Sequence, residues 1–264
     1  MPDQRSSLLT ASAAALICTL LAGGIARADG AAPCKVALER VKLANTLTSV
    51  SHRISGGEPV KIVAIGSSST SGAGASSPAA NYPNRLQAEL RNAFPRQEIE
   101  VINRGVNGEE VDDMLRRFES AVIEPRPHLV IWQLGTNSVI RDHTNADHSA
   151  KIREGIARIK AIGADVILLD PQFAPKVIAK PEAESMVNLI AMTAKRENVG
   201  LYRRFEQMRH WQTVERIPFE TFVHPDGLHL NDWSYACLAK GMAVAITEAA
   251  TRPVASASSA SARR

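Results

Sequence analysis

The sequence predicts an α/β fold: a three-layer α/β/α domain around a parallel sheet. Two observations carry this. Short β-branched runs stopping at glycine, asparagine or Asp-Pro read as buried strands. Between them lie stretches of 10 to 18 residues with apolar positions at helical spacing, which specifies crossover connections and hence parallel pairing.

In chain order, Val36 to Ser51 has helical spacing of Val36, Leu38, Val41, Leu43, Leu47 and Val50, and Gly56-Gly57 ends it. Val60 to Ile65 is the first strand and stops at Gly66. Tyr82 to Phe94 predicts a helix, Ile99 to Ile102 a strand, and Glu109 to Val122 a helix. His128 to Leu134 is a strand and Ser149 to Ile162 a helix. Ala164 to Leu169 is a strand closed by Asp170-Pro171, and Pro181 to Glu197 is a helix entered through proline. Gly200 to Tyr202 gives a short strand, and Asp232 to Ala249 a final helix.

The ends of the chain read differently from its body. Arg5, an apolar and small-residue run from Leu8 to Leu21, and Ala26-Arg27-Ala28 form the pattern of a cleavable export signal over residues 1–28. A retained N-terminal anchor is the alternative reading. No later stretch approaches the roughly 18 apolar residues a membrane span needs, so no stable span is expected after cleavage. Residues 29–59 form a helical lead-in, residues 60–250 the main domain, and residues 251–264, mostly alanine and serine, a disordered tail. The formal net charge of +4 resides in these ends: residues 1–28 carry +1 and the tail +3, leaving a neutral body. A neutral body lacks the clustered positive charge of a nucleic-acid surface. Cys34 and Cys237 remain after cleavage, and an oxidising compartment would allow them to join; the sequence leaves that pairing open.

Four fragments carry chemistry. In parallel sheets, ligands sit beyond the carboxyl ends of the strands. Gly66-Ser67-Ser68 follows the first strand, Asn103-Arg104-Gly105-Val106-Asn107-Gly108 the second, and Gly135-Thr136-Asn137 the third. Asp226-Gly227-Leu228-His229 precedes the last helix. Ser68 is the candidate nucleophile, although Ser67, Ser69 and Ser71 compete with it. A serine hydroxyl needs a base to take its proton, and His229 is that base. Asp226, three residues earlier, suits the role of orienting the imidazole and stabilising its cation. Ser68 N–H, Gly108 N–H and the Asn137 amide are candidate oxyanion donors. The phosphate-loop ending Gly-Lys-Ser/Thr is absent after Gly66, and Thr70 stands where a Gly-x-Ser-x-Gly elbow has its second glycine. Asp142, His143 and His148 invite a metal reading, against which a solvated or substrate-facing loop is preferred.

These fragments resemble the SGNH hydrolases, also called GDSL-type esterases and lipases, over residues 60–250. Gly66-Ser67-Ser68 with Gly72, then Gly108, then Gly135-Thr136-Asn137-Ser138, and finally Asp226 to His229 match the family's four blocks in order. Ser67 and Ser138 depart from the pattern, each standing where the family has aspartate. The resemblance implies a flavodoxin-like three-layer fold, a serine triad with no metal or cofactor, and hydrolysis of esters or thioesters, often acetyl groups on carbohydrate. The expected protein is thus an exported, periplasmic or secreted serine esterase acting on a small ester or acylated carbohydrate. An acyltransferase to sugar hydroxyls, or a non-catalytic carbohydrate-binding module, are the alternatives. The polar segments Ser138 to Ser149 and Gln172 to Lys180 are expected to line the pocket.

Overall fold

A computed structural model describes residues 33–143 and 147–253; the predicted signal segment, residues 1–28, lies outside them, as do residues 254–264 of the tail. Five strands form one sheet: β1 (Val60–Gly66), β2 (Ile99–Gly105), β3 (Leu129–Gln133), β4 (Asp165–Leu169) and β5 (Gly200–Tyr202). Their order is β2-β1-β3-β4-β5, and every pair is parallel. The central strands β1, β3 and β4 are almost wholly buried because both faces are covered, whereas the edge strand β2 carries Glu100, Asn103 and Arg104 and is partly exposed. Ile62, Val63, Ile65, Leu129, Val130, Ile131, Ile167 and Leu168 are fully buried.

The order explains the layers. The chain steps one way from β1 to β2 and the other way from β2 to β3, β4 and β5. Right-handed crossovers then put the connecting helices on opposite faces. Helix Tyr82–Ala93 packs with the final helix Asp232–Thr251, which also packs against the lead-in helices Leu38–Val41 and Thr48–Gly56. Val111–Arg116, His148–Ala161 and Ala183–Arg196 pack together as the other layer. The register aligns the carboxyl ends, with Gly66 opposite Gly105, Ile65 opposite Trp132, and Gln133 opposite Leu169. Three of the four chemistry-bearing fragments therefore leave the sheet at one edge.

The helix predicted over Val36 to Ser51 is two helices. The second starts at Thr48 because the Asp165 carboxylate, arriving from β4, accepts the Val50 N–H at 3.0 Å and also takes N–H groups of Thr48 and Ser49. A cap supplied from 115 residues away leaves no local signal. The helix predicted over Glu109 to Val122 breaks after Arg116 and resumes as a wide turn of π-helix over Glu119–Ile123. Among the described residues, the helices Thr136–Ile140, Pro175–Ile178, Arg204–Thr213 and Phe219–Phe222 and the 3-10 turn Pro78–Ala80 have no counterpart in the sequence pattern. The final helix continues through Thr251, so ordered structure reaches beyond the expected start of the tail; Arg252 pairs with Glu248 and donates to the Leu43 carbonyl at 2.8 Å.

Cys34 and Cys237 form a disulfide with Cα atoms 5.5 Å apart, tying the lead-in to the final helix. Leu43, Leu47 and Val50 of the lead-in lie in the same core as the strands. Among the described residues, no helix is long and apolar enough to cross a membrane.

Candidate active site

β1 runs into Gly66 and a single helical turn, Ser68–Ser71. Gly66 is required by close approach: a Cβ there would run into Thr70 Oγ1 and the Gln133 side chain. The turn sorts its four serines by partner. Ser67 donates through both N–H (2.8 Å) and Oγ (3.1 Å) to Gln133 Oε1. Ser69 Oγ faces Gln172 Oε1, and Ser71 Oγ lies within reach of the Ser68 carbonyl and of Asn107 Oδ1. Ser68 alone among them meets the late loop, with its Oγ 2.9 Å from His229 Nε2. It is 8% exposed.

His229 Nδ1 lies 2.6 Å from Asp226 Oδ2. The other carboxylate oxygen of Asp226 accepts the N–H groups of Leu228 (2.8 Å) and His229 (2.9 Å), so the three-residue spacing closes on itself as an Asx-type turn. Burial alone would raise the Asp226 carboxyl. The His229 imidazole and the two N–H groups outweigh it and hold the group well below the ordinary carboxylate range. Asp226 is thus kept ionised beside the ring. The Ser–His–Asp arrangement has the geometry in which a hydroxyl can pass its proton to an imidazole held in one tautomer.

The second and third fragments supply Gly108 and Asn137. Gly108 follows β2 at φ 80°, in the left-handed region where a side chain is strained, so its position in the turn calls for glycine. Asn137 sits in the short helix Thr136–Ile140 after β3, and its Nδ2 donates to the Glu109 carbonyl at 2.8 Å. An amide NH2 has two hydrogens, so this bond fixes its direction and leaves one to offer. Asn103 of the second fragment is used structurally: Nδ2 donates to the Thr70 carbonyl at 2.8 Å, and Oδ1 accepts the Gly105 N–H at 2.9 Å.

Two buried amides hold the loops together and were not singled out as site residues by sequence. Gln133, the last residue of β3, receives Ser67 and also Thr70 Oγ1 at 3.4 Å. Gln172, fully buried, accepts Thr136 Oγ1 at 2.9 Å and donates to the Leu228 carbonyl at 3.2 Å. It therefore touches the Ser69 turn, the Asn137 helix and the Asp226 loop at once. Expected to line a pocket, Gln172 is instead buried among these loops. The available signal was a polar residue at the carboxyl end of an apolar strand, where a buried partner is needed.

The residues considered for a metal diverge. Asp142 pairs with Lys180 at 2.7 Å, His143 Nδ1 meets Glu110 at 3.0 Å, and His148 Nε2 meets Ser138 Oγ at 2.9 Å. Among the described residues, no group of three or more His, Cys, Asp or Glu side chains is set to hold a metal. Two open clefts of about 500 Å³ involve the site loops. One is lined by Asn107, Gly108, Glu109 and Arg117, the other by Gly74, Ser76, His224, Asn231 and Trp233.

The non-GDSL lipase-like family model matches residues 33–252, nearly the whole described chain. The chain belongs to the non-GDSL lipase-like family. The family's name agrees with the first block, where Ser67 stands in place of the aspartate of a GDSL signature. An acetylxylan esterase from Geobacillus stearothermophilus is 29% identical over 92 residues, a match that covers 31% of this chain and 42% of that enzyme. Among solved structures, a two-domain esterase active on acetylated mannans superposes with a TM-score of 0.71 at 20% identity, covering 85% of this chain and 59% of that one. A catalytic serine mutant of an acetylxylan esterase from Geobacillus stearothermophilus gives a TM-score of 0.60 at 19% identity, covering 71% of this family member and 94% of that enzyme. These likenesses establish the α/β/α fold.

Proposed function

We propose that this protein is an exported serine esterase of the SGNH type that removes small acyl groups, chiefly acetyl, from carbohydrate through an acyl-serine intermediate. The observation that carries the reading is the continuous run from Ser68 Oγ to His229 Nε2 (2.9 Å) and from His229 Nδ1 to Asp226 (2.6 Å). Ser68 Oγ attacks the ester carbonyl as His229 takes its proton. Asp226 holds Nδ1–H and stabilises the imidazolium. The oxyanion is met by the N–H groups of Ser68 and Gly108 and by the second hydrogen of Asn137 Nδ2, each donor contributing roughly 3–4 kcal/mol in the transition state. The tetrahedral intermediate collapses as His229 protonates the departing sugar oxygen, which leaves as the free hydroxyl. A water deprotonated by His229 then attacks the acyl-enzyme, releasing acetate and restoring Ser68.

Several observations support the substrate class. The acetylxylan esterase and the acetylated-mannan esterase act on acetylated polysaccharides by their names. Solved mutants of the former described as catalytic change a serine, an aspartate, and a histidine three residues after the aspartate, the spacing of Asp226 and His229. The open cleft lined by Asn107, Glu109 and Arg117 is rich in polar side chains, which suits a hydrophilic alcohol better than a lipid chain. Export is supported by the N-terminal signal pattern and by the Cys34–Cys237 disulfide, which persists in an oxidising compartment.

The test is acetate release from acetylated xylo- and manno-oligosaccharides, run beside p-nitrophenyl esters of increasing chain length. The reading predicts acetate release and a preference for acetyl over chains of eight carbons. A preference for the long chains, with no release from either oligosaccharide, overturns the substrate class.

A further inference from the structure

The usual aspartate after the third-block asparagine is Ser138 here, and the structure has put a different carboxylate in reach. Glu110 follows the Gly108-Glu109 turn and aims its side chain across to the helix that carries Asn137. Its Oε2 accepts Ser138 Oγ–H at 3.0 Å. Its Oε1 accepts Arg141 Nη1–H at 2.8 Å and faces His143 Nδ1 at 3.0 Å. Ser138 Oγ, donating its hydrogen to Glu110, is itself 2.9 Å from Nε2 of the buried His148.

The same two segments are joined twice more. Arg141 Nη1 also donates to the Gly108 carbonyl at 2.8 Å, and Asn137 Nδ2 donates to the Glu109 carbonyl at 2.8 Å. Links therefore run from each of Gly108, Glu109 and Glu110 to residues 137–143, and the Glu110 carboxylate accepts most of them. Its side chain is only 14% exposed. Burial would raise the carboxyl, but Arg141, His143 and Ser138 hold it below its ordinary value, so the acceptor is charged and strong.

We propose that Glu110 is the positioning residue of the oxyanion side of this site: its carboxylate clamps the Gly108 turn to the Asn137 helix and so sets the two donors at one spacing. This rests on the serine-esterase reading above for its kinetic consequence. Oxyanion donors act on charge that develops only in the transition state, so loosening the clamp lowers kcat and leaves KM nearly unchanged. Displacements on the order of 1 Å are enough to cost about 10²-fold.

The experiment compares wild type, Glu110→Gln, Asn137→Ala and the double variant on p-nitrophenyl acetate, with Ser138→Ala as a milder cut. Glutamine replaces one acceptor oxygen by a donor and cannot receive Ser138, Arg141 and His143 together. The proposal predicts that Glu110→Gln turns over at least tenfold more slowly at unchanged KM, that Ser138→Ala loses less, and that melting temperatures stay close to wild type. It further predicts that Glu110→Gln costs less in the Asn137→Ala background than in wild type, because one of the two donors it sets is already gone. Independent, multiplying effects of the two substitutions, or a Glu110→Gln variant that turns over as fast as wild type, overturn it. Hydrogen exchange of residues 103–110 and 135–143 provides a reading that needs no ester. Glu110→Gln should speed exchange in both segments while β1 and β4 keep their protection, and unchanged exchange there overturns the clamp. A wild type that hydrolyses no ester would instead overturn the esterase reading, with the clamp decided by exchange alone.

Discussion

The Cys34–Cys237 disulfide closes a loop of 203 residues between the lead-in and the final helix. In the chain-entropy model a loop of that length removes about 18 cal/mol/K from the unfolded ensemble, or about 5 kcal/mol at 25 °C, an upper bound for the stabilisation. Measured bridges commonly deliver about 2–4 kcal/mol. For a domain of this size each kcal/mol moves the melting point by roughly 2–4 °C, so reduction should lower it by on the order of 10 °C. Urea unfolding can be followed by tryptophan fluorescence, since Trp132 and Trp211 are buried. The assay compares oxidised protein, protein reduced under tris(2-carboxyethyl)phosphine, and Cys34→Ser. Cys34 is the better position to change because Cys237 is fully buried and a serine there would add an unrelated polar cost. Reduced protein and Cys34→Ser should share a lower midpoint and a steeper denaturant dependence, because the uncrosslinked unfolded chain exposes more surface. Both should keep activity, since neither cysteine belongs to the constellation around Ser68 and His229. Identical midpoints with and without reductant, alongside two alkylatable thiols in the unreduced protein, would refute the bridge.

Other consequences are checked as directly. Asn137→Ala should slow turnover by about 10²–10³-fold with little change in KM, measured by steady-state kinetics on p-nitrophenyl acetate. Gln172→Met leaves Thr136 Oγ1 and the Leu228 carbonyl without their partner, and should cost about 1–3 kcal/mol in urea unfolding together with a drop in kcat. Asp165 gives a pH signature in stability. Burial raises its carboxyl to about 6, over the opposing N–H groups at the start of helix Thr48–Gly56, against about 3.9 in an unfolded chain. The fold therefore favours the protonated form, so this group's contribution is complete below about pH 4 and is lost as pH rises through 6. Between pH 4.5 and 7.5 the difference is about 2 kcal/mol, and it should be absent from Asp165→Asn when the two proteins are unfolded in urea at those pH values. Parallel pH dependences would show that Asp165 titrates as an exposed carboxylate.

Much of the fold could be read in advance because its determinants are local. Val60 to Ile65 and Ala164 to Leu169 are runs that only a doubly covered strand can bury, and the apolar spacing of the stretches between strands is that of helices. Where determinants are distant, sequence was silent. Helix Arg204–Thr213 escaped notice because its buried face includes Arg204 and Gln207. Both are accommodated by partners outside the helix: Arg204 Nε donates to the Asp170 carbonyl and Gln207 Oε1 accepts the Tyr202 hydroxyl. The start of helix Thr48–Gly56 depends in the same way on Asp165. The site divides along the same line. Ser68, Gly108, Asn137, Asp226 and His229 could be named as candidates because reaction chemistry limits which residue types can serve and the strand ends say where they fall, and the fold brings Ser68, His229 and Asp226 together. Gln133, Gln172 and Glu110 serve by touching several loops at once, and such contacts exist only after the chain has folded.

In the proposed mechanism the acyl group passes through Ser68. The most direct measurement is to quench the enzyme with acid during turnover of p-nitrophenyl acetate and map the acetylated peptide by mass spectrometry, with Ser68→Ala run in parallel. Acetyl is expected on Ser68, with a fall in turnover of at least about 10³-fold in the variant. Acetyl on Ser67, Ser69 or Ser71, or equal turnover by Ser68→Ala, would contradict it.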